Sequence, residues 1–419
     1  MTQTGGTGSD AMRADADQAL NQTVTSGEAD LEDLRARLAS WLAGRPEVAG
    51  HGGDHTGGDP AGSGAGVEVG EVSRPEASGM SNISVLFDAA WTCAETGERE
   101  SARLVARMCP QDEAFPVFPV YDLGLQFDVM RVVGEHTDMP VPRARWLEED
   151  PAVLGSPFLV MDRVSGVAPV DNPPYVFDGW LLMMSPEQRA ELQRESVAVL
   201  AAIHGIDRPA ELVPSLARAG GPGASVDSGG AATRPASGLR AHVDGQREYY
   251  EWTIREGGPR IPVIEKAFDW IEAHWPTDPG LDVLSWGDAR IGNILFEGTT
   301  PTAVLDWEMA ALAPAEVDLG WFLYFHDLFQ DLAVTYEFPG IPDLFDHDEV
   351  VAQYEQLSGR TVRDLPFYYV YAGVRQAVIL ARIHRRRIEF GEAEATDNPD
   401  DYVLHNTMLY RLIADGPRA

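Results

Sequence analysis

The sequence predicts an α+β chain in which a small strand-rich region is followed by a larger region built mostly from helices. Three observations carry that prediction. Between residues 66 and 165, short apolar runs surround a single helical pattern, as in a small antiparallel sheet with one helix. From residue 166 onward, apolar residues recur mainly at helical spacing. Around residues 283–308 the pattern returns to short apolar runs that end in polar residues.

Composition narrows the class. The chain has 419 residues, enough for two or three domain-sized units, and 44% of them are hydrophobic. Its formal net charge is −34, which argues against a general nucleic-acid binder, because binding to phosphate backbones requires a basic surface. That charge suits a cationic or polar small partner, and it equally suits plain solubility. Cys93 and Cys109 are too few for a disulfide framework and read as reduced thiols. No apolar run is long enough to span a membrane, and Met1 to Ala29 lacks the apolar stretch of a signal peptide. The expected location is the cytoplasm, with no membrane partner.

Residues 1–65 read as a leader. Its first part, 1–29, is small and polar and is expected to be disordered. The segment 30–43 places Leu31, Leu34, Leu38, Trp41 and Leu42 at helical spacing behind Asp30, a good N-cap, and predicts an amphipathic helix packed on the main body. A Gly-rich linker follows. In the region 66–165, Val67, Val69 and Val72 alternate as a strand, Ile83 to Phe87 form a second, and Ala102 to Met108 a third. Pro116 to Val133 reads as a helix after an irregular start, and Met139 to Pro142 closes that unit. Pro157 to Val164 reads as a further strand.

In the region 166–419, Ser185-Pro186-Glu187-Gln188 is a helix start with Ser as N-cap, Pro at the first position and Gln at the capping-box position. Residues 212–238 are rich in Gly, Ala, Ser and Pro and read as a flexible insert. Helices are expected at Tyr249 to Ile254, Ile264 to His274, 317–333, 347–357 and 364–390. Tyr249, Tyr250 and Trp252 read as helix core rather than as a platform for a ligand.

The chemistry concentrates in Trp286-Gly287-Asp288-Ala289-Arg290-Ile291-Gly292-Asn293 and in Val304-Leu305-Asp306-Trp307-Glu308. Asp288, Asn293 and Asp306 stand at the ends of strand-like segments on an expected hairpin, 283–308. One carboxylate to orient and deprotonate a hydroxyl, with an Asn and a second carboxylate to hold Mg²⁺ on phosphates, are the parts phosphoryl transfer needs. Each has a bland alternative: Asp306 as a turn cap, Gly79 to Asn82 as an ordinary hairpin turn, Arg107 as a surface charge on its strand. Neither a Walker A loop nor a dinucleotide fingerprint occurs.

With those residues in view, the chain resembles the aminoglycoside-phosphotransferase-like family of small-molecule kinases, relatives of the protein kinases, over about residues 66–390. The resemblance implies a protein-kinase-like two-lobed fold, with a small antiparallel-sheet N-lobe at 66–165 that binds nucleotide and a large, mostly helical C-lobe at 166–419. It implies Asp288 as catalytic base, Asn293 and Asp306 as Mg²⁺ ligands, and ATP as donor, with GTP open. It implies that Ser81 and Asn82 belong to a phosphate-covering loop. Met161, Asp162 and Val164 then belong to the strand and hinge that hold adenine. Arg107 stands where the family has a phosphate-binding Lys, and a permanently charged fork suits that task. Gln126 best matches the Glu that pairs with that Lys, with Asp122 and Asp128 as alternatives. Trp286 replaces a His that orients the loop, so it must act through packing and its N–H. Arg290 either offsets charge on the transferring group or faces solvent. Asp318 reads as structural.

These departures resemble the branch found as the kinase-like part of certain acyl-CoA dehydrogenases and in actinobacterial proteins. The expected activity is transfer of the γ-phosphate of ATP to a hydroxyl of a small-molecule acceptor. Two other readings are a nucleotide-binding pseudokinase or sensor, and a hydrolase using Asp288 and Asp306 as an acid–base pair. Acceptor candidates in the helical region include Asp327, Asp331, Glu337 and Asp343, which also suit plain solubility.

Overall fold

A computed structural model describes residues 31–48, 66–75, 82–93, 95–110, 115–217, 238–255 and 257–416. Expectations for 1–30, for Gly79 to Ser81 and for the body of the 212–238 insert lie outside these residues. The chain divides into two units, one comprising 117–141 and 165–419 and the other 20–116 and 142–164, apart from residues 1–19.

The smaller unit is a five-stranded antiparallel sheet: β1 (Glu68–Ser73), β2 (Ile83–Thr92), β3 (Arg99–Met108), β4 (Ala144–Glu148) and β5 (Phe158–Asp162), in the order β1-β2-β3-β5-β4. In β2, Val85, Phe87, Ala89 and Trp91 alternate onto one face, so register is fixed by which side is buried. Helix α1 (Leu31–Ala43) closes that face with Leu34, Leu38, Trp41 and Leu42, in one core with Phe87, Trp91, Trp146 and Phe158. The Trp41 ring lies 4.8 Å from Phe158 and its indole N–H donates to Glu148 at 2.8 Å. Each fully buried Leu contributes roughly 1.5–3 kcal/mol, which explains how a short helix is held on the sheet. Leu31 is the exception in the expected stripe and stays exposed. Strand β4 escapes the sequence pattern because it is short, charged and buries only Trp146.

The larger unit begins with α2 (Leu123–His136). It starts later than the sequence suggests because Asp122 caps it, accepting the Leu125 N–H at 2.8 Å. Helix α3 (Pro186–His204) carries the full capping box, with the Ser185 side chain taking the Gln188 N–H and the Gln188 side chain the Ser185 N–H. A short turn of helix, α4 (Pro209–Leu212), precedes α5 (Leu239–Ile254) and α6 (Pro262–Ala273). Helix α5 starts ten residues before the expected Tyr249, because His242, Gly245 and Gln246 occupy core positions that usually mark solvent. Tyr249 and Tyr250 are fully buried helix core.

The expected hairpin over 283–308 is two separate ladders. β6 (Asp282–Ser285) pairs with β9 (Ala311–Pro314), and β7 (Ile294–Glu297) pairs with β8 (Thr300–Val304). Then come α7 (Glu316–Thr335), α8 (His347–Ser358), α9 (Leu365–Glu389) and α10 (Asn406–Asp415), the last unpredicted because it buries little beyond Met408 and Leu409. Among the described residues no helix is long and apolar enough to cross a membrane.

Candidate active site

The loop 285–309 and the helices that hold it lie within the larger unit. β6 is buried and delivers Ser285 to a turn whose backbone is gripped by Asp318 in the first turn of α7. The Asp318 carboxylate accepts the Ser285 hydroxyl at 2.8 Å, the Trp286 N–H at 2.7 Å and the Gly287 N–H at 2.9 Å. It also takes a hydrogen bond from His204 Nε2 at 3.0 Å, whose Nδ1 meets the Tyr354 hydroxyl at 2.8 Å. Burial pushes the Asp318 carboxyl up, but the His204, Ser285 and Gly287 bonds outweigh it and hold the group below the usual carboxylate range. Asp318 is fully buried and acts as the anchor of the loop.

Gly287 follows in a left-handed conformation, φ +88°. A Cβ there would sit 2.0 Å from the Met309 carbonyl oxygen, so only glycine fits. Gly287→Ala is expected to displace the turn, lowering the thermal midpoint by several degrees together with loss of activity; differential scanning calorimetry with an unchanged midpoint would contradict this packing.

Asp288 stands next, its side chain 13% exposed. Its carboxylate accepts Arg290 Nε at 3.0 and 3.1 Å, the Trp321 indole N–H at 2.8 Å and the Asn293 amide at 2.6 Å. Three donors, spread over both carboxylate oxygens, fix its rotamer. Arg290 also forms an ion pair with Asp171 and lies over the Phe325 ring. Burial opposes the Arg290 charge, yet Asp288, Asp171 and Asp306 together raise its pKa and keep it cationic. Arg290 is therefore turned into the site rather than out to solvent.

The short 3₁₀ turn Ile291–Asn293 carries Asn293 into β7. Its amide nitrogen donates to the Asp288 carboxylate and to the Asp288 carbonyl at 3.1 Å, so its amide oxygen is the atom left for a ligand. Asp306 lies just beyond β8 in the left-handed region, φ +63°. The preceding residue is clamped on both sides: the Leu305 N–H donates to the Asn293 carbonyl at 2.9 Å, and the Leu305 carbonyl accepts the Trp286 indole N–H at 2.9 Å. Trp286 also lies 5.8 Å from Trp307. Packing and one N–H thus tie Trp286 to the Asp306 turn, the work the sequence reading assigned to that side chain.

The structure thereby brings Asp288, Arg290, Asn293 and Asp306 into one loop system. Gln126 lies on α2, 2% exposed, with its amide nitrogen unsatisfied among the described residues. Asp122, one alternative to it, is committed to its helix cap. In the smaller unit, Asn82 is buried at the start of β2, and Arg107 is half-buried on the central strand β3 opposite Ser84 and Leu159. Met161 and Asp162 end β5, where the Asp162 carboxylate pairs with Arg145 and its N–H with the Arg143 carbonyl. Val164 follows, half-buried, and Ser81 is outside the described residues.

Sequence reasoning missed Asp171, His204, Trp321 and Arg375. One signal was available: Asp318 and Trp321 are three apart on a helix and share a face, so both aim at the Trp286–Asp288 turn. Three of the acidic acceptor candidates are engaged elsewhere. Asp327 takes bonds from His347 at 2.9 Å and Tyr369 at 2.6 Å, Asp331 pairs with Arg411, and Asp343 with Arg189 at 2.6 Å.

The pattern of the phosphotransferase enzyme family (APH) matches residues 94–349, more than half of the chain. The chain belongs to that family. Two solved structures share its fold. One is a Ralstonia eutropha protein provisionally classed as an aminoglycoside phosphotransferase, 22% identical with a TM-score of 0.57, covering 91% of this chain and 99% of the other. The second is a macrolide 2′-phosphotransferase type I, 14% identical with a TM-score of 0.51, covering 91% and 97%. The fold is therefore the kinase-like, two-part α+β fold. Among curated proteins it is similar to a probable acyl-CoA dehydrogenase of Arabidopsis thaliana, 25% identical over 64% of this chain and 32% of that one. It is also similar to mouse acyl-CoA dehydrogenase family member 10, 24% identical over 70% of this chain and 25% of the other. The chain spans a third or less of these relatives' length.

Proposed function

We propose that this chain is a magnesium-dependent kinase that moves the γ-phosphate of ATP onto a hydroxyl group of a small acceptor. The carrying observation is Asp288, a carboxylate held in one rotamer by Arg290, Trp321 and Asn293 beside the Asp306 turn. In this mechanism Asp288 takes the proton of the acceptor hydroxyl while that oxygen bonds to the γ-phosphorus and the bond to ADP breaks. Arg290, locked beside Asp288, offsets negative charge as the phosphoryl group passes.

The residues present fit a hard cation. The Asn293 amide oxygen and the Asp306 carboxylate are oxygen donors, and among the described residues no cluster of three or more His, Cys, Asp or Glu forms a full protein cage. Such a sparse set suits Mg²⁺, which usually completes its shell with phosphate and water oxygens. When bound, Mg²⁺ would neutralise and align the phosphate oxygens. Asp306→Ala is accordingly expected to weaken Mg·ATP binding at least about tenfold; calorimetry giving wild-type affinity would remove Asp306 from the metal role. Ser81, Asn82, Arg107, Gln126, Met161, Asp162 and Val164 are proposed to serve the nucleotide, with Arg107 as the cation for its phosphates.

The acceptor class is found by screening ADP production with aminoglycosides, macrolides, amino alcohols, sugars and hydroxyacyl-CoA compounds. Acceptor-dependent ADP release supports the kinase. Mg·ATP binding without turnover across the panel supports a nucleotide sensor instead.

A further inference from the structure

Trp321 and Arg375 join no part of the transfer step, yet both reach the residues that carry it. The Trp321 indole is 1% exposed and donates to Asp288 Oδ1 at 2.8 Å. The Arg375 guanidinium is fully buried on α9, lies 4.2 Å over the Trp321 ring and donates Nη2 to the Gly287 carbonyl at 2.7 Å. Two consecutive residues of the loop are thus held by one stacked pair. Phe325 lies 4.9 Å from the indole.

The pair is set by the packing of α7 on α9. A Cβ on Gly320 would lie 2.6 Å from the Tyr368 carbonyl oxygen, so glycine at 320 lets the helices approach closely at the residue before Trp321. Arg375 Nε and Nη1 have no partner among the described residues, and no carboxylate there pairs with it directly. A buried guanidinium without a counter-ion is costly, and an apolar residue of that size would fill the space at less cost. Burial pushes its pKa down, and the charges that oppose this, Asp318 and Asp288, act only at longer range. A cation over a desolvated indole polarises the ring and fixes its plane.

We infer that Trp321 and Arg375 are positioning residues for phosphotransfer: the guanidinium clamps the indole and the Gly287 carbonyl, and the indole N–H sets the Asp288 carboxylate. This rests on the reading of Asp288 as the base. A small error in carboxylate placement costs turnover rather than nucleotide binding.

The test uses the full chain and Mg·ATP turnover with the best acceptor from the screen, with NMR of isotope-labelled tryptophan indoles as a second readout. Trp321→Phe and Arg375→Met are expected to lower kcat by about ten- to hundredfold with the KM for Mg·ATP within about twofold. Arg375→Lys, which keeps charge and a donor, is expected to recover much of the loss. The Trp321 indole N–H signal, assigned by its absence in Trp321→Phe, is expected to shift in Asp288→Asn and in Arg375→Met. A wild-type kcat in Trp321→Phe, or an indole signal unmoved by Asp288→Asn, overturns the inference. If the wild type turns over no nucleotide with any acceptor of the panel, the kinase reading fails by itself, and the indole signal still decides whether the pair holds Asp288.

Discussion

Asp288→Asn is expected to reduce phosphotransfer by about a thousandfold or more while Mg·ATP affinity stays near wild type. The substitution keeps size and shape, and an amide can still accept from Arg290 and Trp321, which both reach Oδ1. It removes the one capacity the reaction needs there, acceptance of a proton from the attacking hydroxyl. Oδ2 receives the Asn293 amide at 2.6 Å, so an NH₂ on that side would face another NH₂ and loosen the loop. Initial rates and calorimetric affinity measured on the same preparations separate these effects. Near-wild-type transfer in Asp288→Asn would remove Asp288 from the role of base.

The second large effect is structural. Asp318→Ala is expected to cost about 3–5 kcal/mol, because it strands buried donors rather than removing a surface pair. The Ser285 hydroxyl, the Trp286 and Gly287 N–H groups and His204 all point at its carboxylate. Chemical denaturation gives the number, and a loss below about 1 kcal/mol would show that these bonds are not what fixes the turn. The pH dependence has a definite sign. Asp318 is held below its ordinary pKa in the folded chain, so the folded state binds fewer protons there than the unfolded state. Its contribution is complete above about pH 4, the unfolded value, and is lost as pH falls through the lower folded value. The stability gap between wild type and Asp318→Ala is therefore constant near neutrality and closes in acid.

The proposed chemical residues were legible because they sit close together in sequence. Asp288, Asn293 and Asp306 fall in one stretch of chain, 288–306, so their common location needed little tertiary information. Trp286 was legible too: an indole in place of an imidazole leaves packing and one donor, and the Leu305 carbonyl receives that donor. The supporting residues were hidden. Trp321 and Arg375 lie on helices whose apolar spacing reads as core, and His204 is more than eighty residues before the loop it steadies. Their roles arise from long-range contacts that no local pattern encodes. The same limit applies to the fold. α3 announced itself through a capping box and β2 through alternation, whereas α5 placed His242 and Gln246 in the core and β4 offered only one buried side chain. The ladders β6–β9 and β7–β8 read as one hairpin because apolar runs alone do not say which strand pairs with which.

The loop around Asp288 is proposed to move phosphate onto an acceptor hydroxyl. Phosphorus NMR of the purified product of a reaction with Mg·ATP and the best acceptor from the screen tests this most directly. The expected product gives a phosphomonoester signal coupled to protons on the acceptor carbon, formed with one ADP per product and absent with chelator or with Asp288→Asn. ADP accompanied only by inorganic phosphate, or a phosphomonoester that forms equally well with Asp288→Asn, would contradict it.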